Sequence, residues 1–299
     1  MSKSEEKVFL IFNTACFGDV LICNSLCRNI KRKYPKSKLV FIVDKPFYDV
    51  AKFQDGVDEV IVYDKKGVHK GFRGFLKFVK EFPYKKPFAS FVAYRNARNV
   101  WVSRLIGAKH IFESGKFVMD KPAQLQVLSL LEKLTEEKLE NLPLVYNAPV
   151  VEVVEGDYVV LCTTSKRETK DMPIEIAVGL INKITAERNL KVVFTGSGQK
   201  SVEYAEQLQS AGCDFINMVN KTTIPELAAV LKKSKALISV DTGTMHLGYA
   251  VSTPLVVIFY EENMSKCWAP DTNLYNAVLI EKNQSSENIF KEVVRIINY

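Results

Sequence analysis

The chain has 299 residues, of which 47% are hydrophobic and 25% are charged, and its formal net charge is +7. This composition is ordinary for a globular protein and argues against a disordered or fibrous chain. No run reaches the roughly 18 uncharged apolar residues that span a bilayer, and Asp19 interrupts the apolar stretch near the N terminus. We therefore expect a cytoplasmic protein without a signal peptide.

The positive charge is concentrated in the first half of the chain. Residues 1–150 contain 26 Lys and Arg against 16 Asp and Glu, whereas residues 151–299 contain 15 against 18. This excess predicts an acidic macromolecule or a membrane surface as a partner, although a lysine-rich background composition explains it equally well. The six cysteines form no C-x-x-C pair and most lie in apolar runs, so we expect buried thiols and no metal site.

Short apolar runs alternate with helical patterns along the first half. We predict strands at residues 7–13, 38–43, 59–64 and 88–94, and helices at residues 19–33, 74–82, 97–107 and 123–138. The segment 141–157 contains two prolines and little helical periodicity, and we interpret it as a linker between domains.

The same alternation begins again after the linker. We predict strands at residues 158–163, 190–196, 236–240, 254–259 and 276–280, and helices at residues 173–188, 201–211, 223–233, 243–250 and 286–297. Alternation of this kind is typical of parallel sheets covered by helices. The sequence therefore predicts an α/β protein with two Rossmann-like domains, residues 1–150 and 151–299, which face each other across a central cleft. Ligands are expected at the carboxyl ends of the strands.

The loop after the first predicted strand contains one glycine, Gly18, followed by an acid, Asp19. It lacks the G-x-G-x-x-G pattern that cradles a pyrophosphate, which argues against a nicotinamide-dependent oxidoreductase. A carboxylate at a helix N-terminus would also repel a phosphate placed there. Spacing alone favours a helix-capping role for Asp19 over that of a general base.

The clearest candidate anion site follows the strand that ends at Asp241. Thr242, Gly243 and Thr244 begin the next predicted helix, where backbone N–H groups have no partner within the helix and attract an anion. His246 lies one turn further along, where a packed residue and a ligand contact explain the pattern equally well.

Two other strand-end loops are weaker candidates. One contains Thr163, Thr164 and Lys170, whose hydroxyls and ammonium suit a diphosphate, but a solvated loop has the same composition. The other contains Gly196 and Gln199 and lacks P-loop spacing. Its glycines either allow close approach of a ligand or form a turn.

In order along the chain, these segments resemble glycosyltransferase family 9, the ADP-heptose:lipopolysaccharide heptosyltransferases. The most specific match is D-T-G-x-x-H-L at 241–247, and the resemblance extends to F-G-D-V-L at 17–21, G-V-D-E-V-I-V-Y-D at 56–64, T-K-D-M-P at 169–173 and C-W-A-P at 267–270. It covers nearly the whole chain. It implies the GT-B fold, in which residues 1–150 bind the acceptor and residues 151–299 bind the nucleotide sugar.

The resemblance also implies roles for individual residues. The reaction would be an inverting transfer from an ADP-sugar to an acidic glycolipid of the lipopolysaccharide inner core, with no metal or other cofactor. Asp19 would be the general base, and Lys170 would neutralise the leaving diphosphate. The nucleotide sugar would be held by Thr163, Thr164, Gly196, Gln199, Asp241, Thr242, Gly243, Thr244 and His246.

The basic first half then has a specific candidate partner. The acceptor would contact Gly18, Lys65, Lys66, Arg95 and Arg98. Cations in this region would also hold the enzyme peripherally at the inner membrane. No nucleic-acid-binding module is present in the sequence, so we expect no nucleic-acid partner.

Two departures from the family pattern leave alternatives open. Gln199 stands where several family members carry an acid for the ribose, and Met172 stands where tryptophan is usual. The first departure keeps open a family 9 transferase that uses a different nucleotide sugar. A catalytically silent nucleotide-sugar-binding protein of the same fold is the other alternative.

Overall fold

The computed structural model describes residues 6–147, 149, 154–282 and 284–298. The chain divides into two compact units, Met1–Val145 and Tyr146–Tyr299. The boundary predicted at residues 150/151 lies outside the described residues. Each unit is a parallel sheet with helices packed on it.

The first unit contains a five-stranded sheet. Its strands are β1 (Val8–Phe12), β2 (Lys38–Val43), β3 (Glu59–Val62), β4 (Ala89–Val92) and β5 (His110–Glu113). Its helices are α1 (Phe17–Ile22), α2 (Asn24–Lys33), α3 (Tyr48–Lys52), α4 (Gly71–Glu81), α5 (Ala97–Leu105) and α6 (Ala123–Thr135), with a 3-10 turn at Lys45–Phe47. The strand order is β3-β2-β1-β4-β5, and all pairs are parallel. β1 lies in the centre and is almost wholly buried, as expected for a strand covered on both faces.

The helix predicted over residues 19–33 is in fact two helices. α1 ends at Ile22, and α2 begins at Asn24 after Cys23. Asn24 is buried, and its amide donates to the carbonyl of Asp55 at 2.9 Å while its side-chain oxygen accepts from the N–H of Val145 at 2.7 Å. Apolar periodicity continues through the break, so the pattern in the sequence does not reveal it.

The second unit contains a six-stranded sheet. Its strands are β6 (Tyr158–Cys162), β7 (Lys191–Phe194), β8 (Ile216–Asn217), β9 (Leu237–Val240), β10 (Leu255–Phe259) and β11 (Ala277–Glu281). Its helices are α7 (Ile174–Arg188), α8 (Gln199–Ser210), α9 (Ile224–Lys233), α10 (Gly243–Ala250), α11 (Met264–Trp268) and α12 (Ser286–Ile297), with a 3-10 turn at Glu168–Lys170. The order is β11-β10-β9-β6-β7-β8. Because β6 and β9 are neighbours, the loops that follow them lie side by side.

Each unit has its own apolar core. In the first unit, Leu10, Val40 and Phe78 belong to one buried cluster. In the second unit, Leu180 and Phe194 belong to another, which α7, α8 and α12 cover. Full burial of each such side chain contributes about 1.5–3 kcal/mol before the entropic cost of ordering it.

The predictions about thiols, metals and membrane spans can be compared with the described residues. All six cysteines lie in the described part of the chain, and none forms a disulfide; four are buried, whereas Cys16 is exposed. Burial raises the pKa of the Cys162 thiol to about 11. Within the described ranges, no group of three His, Cys, Asp or Glu side chains is placed to hold a metal ion. No helix in that same part of the chain has both the length and the apolar character needed to cross a bilayer.

Candidate active site

The turn between β9 and α10 presents backbone amides, as the sequence predicts. β9 ends at Val240, and α10 begins at Gly243 with Thr242 as its N-cap residue, whose side chain makes no capping bond. Met245 donates to the carbonyl of Thr242 at 3.1 Å. Among the described residues, no acceptor pairs with the N–H groups of Gly243 and Thr244. A helix N-terminus with unpaired amides and its positive dipole end suits an anion.

A buried ion pair adjoins this turn. Nζ of Lys170, in the 3-10 turn after β6, pairs with Oδ2 of Asp241, which follows β9. The side chains are 13% and 7% exposed. Since β6 and β9 are adjacent in the sheet, two residues that are distant in sequence meet at its carboxyl edge. The predicted diphosphate-neutralising lysine is therefore already held by a carboxylate beside the amides.

His246 is buried one turn into α10, with 4% of its surface exposed. Its Nδ1 lies 2.5 Å from the hydroxyl of Tyr249. Burial lowers the pKa of His246 to about 4, an effect that the carboxylate of Asp241 opposes and the ammonium of Lys170 reinforces. The imidazole is neutral at neutral pH, so it can offer a ligand a hydrogen bond but no positive charge.

The two threonines after β6 have internal roles that the sequence did not predict. Thr163 is fully buried, and its carbonyl accepts from the N–H of Met172 at 2.9 Å, which closes the loop. The hydroxyl of Thr164 lies 2.7 Å from that of Ser201, and Thr164 is buried as well. The hydroxyl of Thr164 is therefore engaged within the unit, whereas Thr163 contributes its backbone carbonyl; the contacts of both hydroxyls with a nucleotide sugar stay a prediction.

The loop after β7 places Gly196 and Gln199 differently. A Cβ at Gly196 would lie 2.5 Å from the hydroxyl oxygen of Ser201, so glycine is required here by the packing of the Thr164–Ser201 pair. Gln199 is exposed at the start of α8, and its Nε2 donates to Glu203 at 3.1 Å. Its amide remains accessible to a ligand, whereas Gly196 is explained without one.

Three residues that the sequence did not single out fix the loop that carries Lys170. Asp171 accepts from the N–H of Ser165 and pairs with Lys200, both at 2.7 Å. Glu261 pairs with Arg167 at 2.7 Å. The contact between Asp171 and Ser165 lies within this loop, whereas Lys200 and Glu261 follow other strands, so no local pattern reveals these two partners.

In the first unit, Asp19 is the third residue of α1, and Cys16 is the N-cap residue. The N-cap role considered from spacing is therefore wrong for Asp19. Its carbonyl accepts from the side-chain amide of Asn13 at 2.7 Å and from the thiol of Cys23 at 3.3 Å. Asn13 is fully buried directly after β1, so the backbone of Asp19 is tied to the end of the central strand.

Polar side chains from three elements meet near the end of β1. Nζ of Lys65, which follows β3, donates to the hydroxyl of Thr14 at 2.7 Å, and the amide of Asn99 in α5 approaches the same hydroxyl at 3.4 Å. Burial lowers the pKa of Lys65, an effect that the nearby carboxylate of Asp44 opposes. Thr14 and Asn99 were not predicted, although the position of Thr14 directly after a strand was an available signal.

The cations predicted to bind the acceptor differ in how many contacts they make within the first unit. Arg98 donates through Nε to the hydroxyl of Tyr63 and through Nη2 to the carbonyls of His69 and Gly71, at 2.6 and 2.9 Å. Its guanidinium also lies over the rings of Tyr63 and Phe75. Arg98 therefore has a structural role in the first unit, and the acceptor contact predicted for it stays a prediction.

The remaining predicted acceptor contacts are more accessible. Lys66 and Arg95 are exposed, and Gly18 is partly exposed within α1. These three residues stay available to a ligand of the first unit.

Two Rossmann-like domains, one with an amide-lined turn beside a buried lysine, define an α/β protein of GT-B type. The family model of glycosyltransferase family 9 (heptosyltransferase) matches residues 62–294, and the chain belongs to this family. It is 23% identical to the lipopolysaccharide core heptosyltransferase OpsX of Haemophilus influenzae, over 94% of this chain and 87% of that protein. The chain is accordingly a member of a family of transferases.

Solved structures give the same fold. The glycosyl transferase family 9 protein of Veillonella parvula superposes with a TM-score of 0.85 at 18% identity, covering 98% of this chain and 97% of that one. The E. coli heptosyltransferase WaaC with ADP gives a TM-score of 0.78 at 17% identity, with 97% and 99% covered. The GT-B fold predicted from the sequence is thereby confirmed.

Proposed function

We propose that this chain transfers a heptose from ADP-heptose to an acidic inner-core acceptor of lipopolysaccharide, with inversion at the anomeric carbon. Membership of glycosyltransferase family 9 supports the reaction class. The similarity to a lipopolysaccharide core heptosyltransferase and to a heptosyltransferase solved with ADP supports the donor and acceptor. The observation that carries the proposal is the β9–α10 turn, where the amides of Gly243 and Thr244 adjoin the Lys170–Asp241 pair.

In this proposal the second domain, residues 151–299, holds the donor. The diphosphate oxygens accept hydrogen bonds from the amides of Thr242, Gly243 and Thr244, and Lys170 lies beside them. Negative charge grows on the leaving diphosphate as its bond to the anomeric carbon breaks, so donors fixed in advance stabilise the transition state more than the ground state. The chain itself supplies this stabilisation, and neither a metal nor another cofactor is required.

The other residues of the donor site have smaller proposed roles. Asp241 positions Lys170, His246 offers a neutral hydrogen-bonding group, and Gln199 contacts the ribose. Thr163, Thr164 and Gly196 shape the loops beside the donor through their internal contacts.

The first domain, residues 1–150, holds the acceptor in this proposal. Asp19 accepts the proton of an acceptor hydroxyl as its oxygen bonds to the anomeric carbon, and the diphosphate leaves from the opposite face. A single displacement of this kind inverts the configuration. General-base assistance accounts for roughly 10²–10⁴-fold in rate. Lys65, Lys66 and Arg95 bind the acidic groups of the acceptor beside Gly18, and Thr14 orients the ammonium of Lys65.

A second candidate is a family 9 transferase that uses a different nucleotide sugar. It is favoured by Gln199, an amide at the position proposed for the ribose contact. A carboxylate accepts two hydrogen bonds from a ribose diol, whereas an amide both donates and accepts, so this residue changes how the donor is held. Because the ribose is common to these donors, the nucleotide itself is decided by the comparison of donors described next.

The test compares nucleotide-sugar donors and two variants. We expect ADP-heptose to stabilise the purified chain most in a panel with UDP- and GDP-sugars, by about 2.7 kcal/mol at 100 times its Kd. We expect Asp19→Asn to lose at least about 100-fold in kcat while keeping its affinity for ADP. Stronger stabilisation by a non-ADP donor favours the second candidate. Donor binding without any turnover indicates the silent protein, and full activity of Asp19→Asn excludes Asp19 as the base.

A further inference from the structure

Helix α4 is fixed in one rotation about its axis. Phe78 is buried, and its ring stacks on that of Tyr63 with centroids 4.0 Å apart. Gly74 is buried as well, and a Cβ there would lie 2.2 Å from the backbone of His69. The backbone of the helix therefore lies so close to the preceding loop that only glycine fits at position 74. The side chains on the opposite side of α4 must point away from the core.

That opposite side is apolar and basic at once. Phe72 and Leu76, one helical turn apart, are 74% and 46% exposed. Arg73, Lys77 and Lys80 are exposed at neighbouring positions around the same helix. Within the described parts of the chain, none of these three cations forms an ion pair. A phenylalanine with most of its surface in water is unusual on a helix that already has a buried face.

The surrounding segment is strongly basic. From Lys65 to Lys80 the chain has six Lys and Arg residues and no Asp or Glu, while Asp64 and Glu81 flank this segment and Glu81 is the last residue of α4. Val68, 63% exposed just before the helix, extends the apolar part of the surface. A lysine-rich background would scatter cations over all faces of the protein, but it would not place large apolar side chains among them.

We infer that this surface docks on an anionic lipid bilayer. The surface, here named the α4 face, consists of Val68, Phe72, Arg73, Leu76, Lys77 and Lys80. A helix that lies in a bilayer interface buries its apolar side chains at the level of the headgroups while its cations contact anionic lipids. The α4 face has both components. This inference goes beyond the transfer reaction, because it requires no acceptor in the bilayer.

A second copy of the chain fits this surface less well. In a twofold dimer the α4 face of one protomer would meet the α4 face of the other. Arg73, Lys77 and Lys80 would then face the same three cations, with Glu81 as the one acid of this helix, so repulsion between like charges would dominate. An anionic lipid surface is complementary to the same residues.

The experiment measures co-sedimentation of the full chain with vesicles that contain no glycolipid acceptor. One set contains phosphatidylglycerol and phosphatidylethanolamine, and the other contains phosphatidylcholine alone. We expect binding to the first set only, with an affinity that falls as salt is added. The Phe72→Ser, Leu76→Ser double variant should bind about tenfold more weakly. The Arg73→Gln, Lys77→Gln, Lys80→Gln triple variant should also bind more weakly and lose most of its salt dependence.

Matched controls lie on α6 of the same unit. Leu125 is exposed to a similar degree as Leu76, and Lys133 is an exposed cation. Leu125→Ser and Lys133→Gln should bind the vesicles as the unaltered chain does. All variants change exposed side chains, so their thermal unfolding should match that of the unaltered chain and confirm that they fold.

Two outcomes would overturn the inference. The first is that the unaltered chain fails to sediment with anionic vesicles, or that both α4 variants sediment as it does. The second is that light scattering shows a dimer that Phe72→Ser, Leu76→Ser abolishes, without vesicle binding, which would make the α4 face a self-interface. Turnover on a water-soluble acceptor is independent of either result, so failure here leaves the proposed reaction standing.

Discussion

Lys170 and Asp241 form an ion pair at the carboxyl edge of the second sheet, where both side chains are largely buried. The pair joins the loop after β6 to the turn that begins α10. A flexible lysine would lose side-chain entropy on binding a diphosphate, whereas Lys170 is ordered beforehand by its carboxylate. In the proposed reaction, an arriving diphosphate would meet an ammonium whose charge is partly balanced, which would moderate affinity and allow release of the product nucleotide.

We predict that Lys170→Met destabilises the fold as well as slowing transfer. The substitution leaves the carboxylate of Asp241 buried without its cation, and loss of one partner of a buried pair costs about 3–5 kcal/mol. The double variant Lys170→Met, Asp241→Asn removes both charges and should recover much of that stability without recovering kcat. Urea unfolding and initial rates measure the two effects.

The control for this prediction is Lys183→Met, which breaks an exposed pair with Glu287 and should change stability little, because solvent screens exposed ion pairs. Equal stability of Lys170→Met and the unaltered chain would mean that the buried pair does not form in solution.

We predict that Gly196→Ala destabilises the second unit by about 1–3 kcal/mol, because the added methyl group meets Ser201. Adding Ser201→Gly should restore part of the loss by removing the atoms in the way. Gly115→Ala is the matched control, since a Cβ there meets nothing within 4 Å. Thermal unfolding distinguishes these variants. A stable Gly196→Ala protein with weakened nucleotide binding would instead favour the original prediction that a ligand approaches this glycine.

We predict that Arg98→Ala lowers stability whereas Arg95→Ala affects only the acceptor. Arg98 donates to two backbone carbonyls and to the hydroxyl of Tyr63, so its loss should cost roughly 1.5–3 kcal/mol. Arg95 is exposed, and its loss should change stability by less than about 0.5 kcal/mol while raising the KM for the acceptor. Unfolding curves and acceptor KM values are compared for both. An Arg98→Ala protein with normal stability and a raised acceptor KM would reverse the structural assignment.

The buried central strands of the fold could be predicted from the sequence, whereas the short edge strands and the shortest helices could not. Central strands such as β1 and β10 are continuous apolar runs because helices cover both of their faces. β5 and β8 lie at sheet edges, are short and have half-exposed side chains, so no apolar run marks them. α3 and α11 each have only five residues, too few to show a helical period.

The features of the candidate site likewise include some that a local sequence pattern predicts and others that depend on contacts between distant residues. The amides of the β9–α10 turn could be predicted, because a strand followed by Asp-Thr-Gly and a helix is a local pattern. The pairing of Lys170 with Asp241 could not, since the two residues are 71 positions apart and meet only because β6 and β9 are neighbours. The internal roles of Thr164 and Arg98 likewise depend on contacts between elements, which residue type does not specify.

We predict that His246 makes stability depend on pH in a defined window. Its pKa in the folded protein is lowered from 6.5 to about 4, so the unfolded chain takes up a proton at a higher pH than the folded one. Stability from this group is therefore complete above about pH 6.5 and falls progressively as the pH is lowered to about 4. At about 1.4 kcal/mol per pH unit, the total loss is about 3 kcal/mol.

The measurement compares the free energy of unfolding of the unaltered chain with that of His246→Gln from pH 7.5 to pH 4. Glutamine has no charge to gain, and it can still hydrogen-bond the hydroxyl of Tyr249. The difference between the two curves removes the contribution of the carboxylates, which titrate in both proteins. Parallel curves over this range would mean that the pKa of the folded imidazole stays near its ordinary value of 6.5, and His246 would then carry a positive charge only below about that pH.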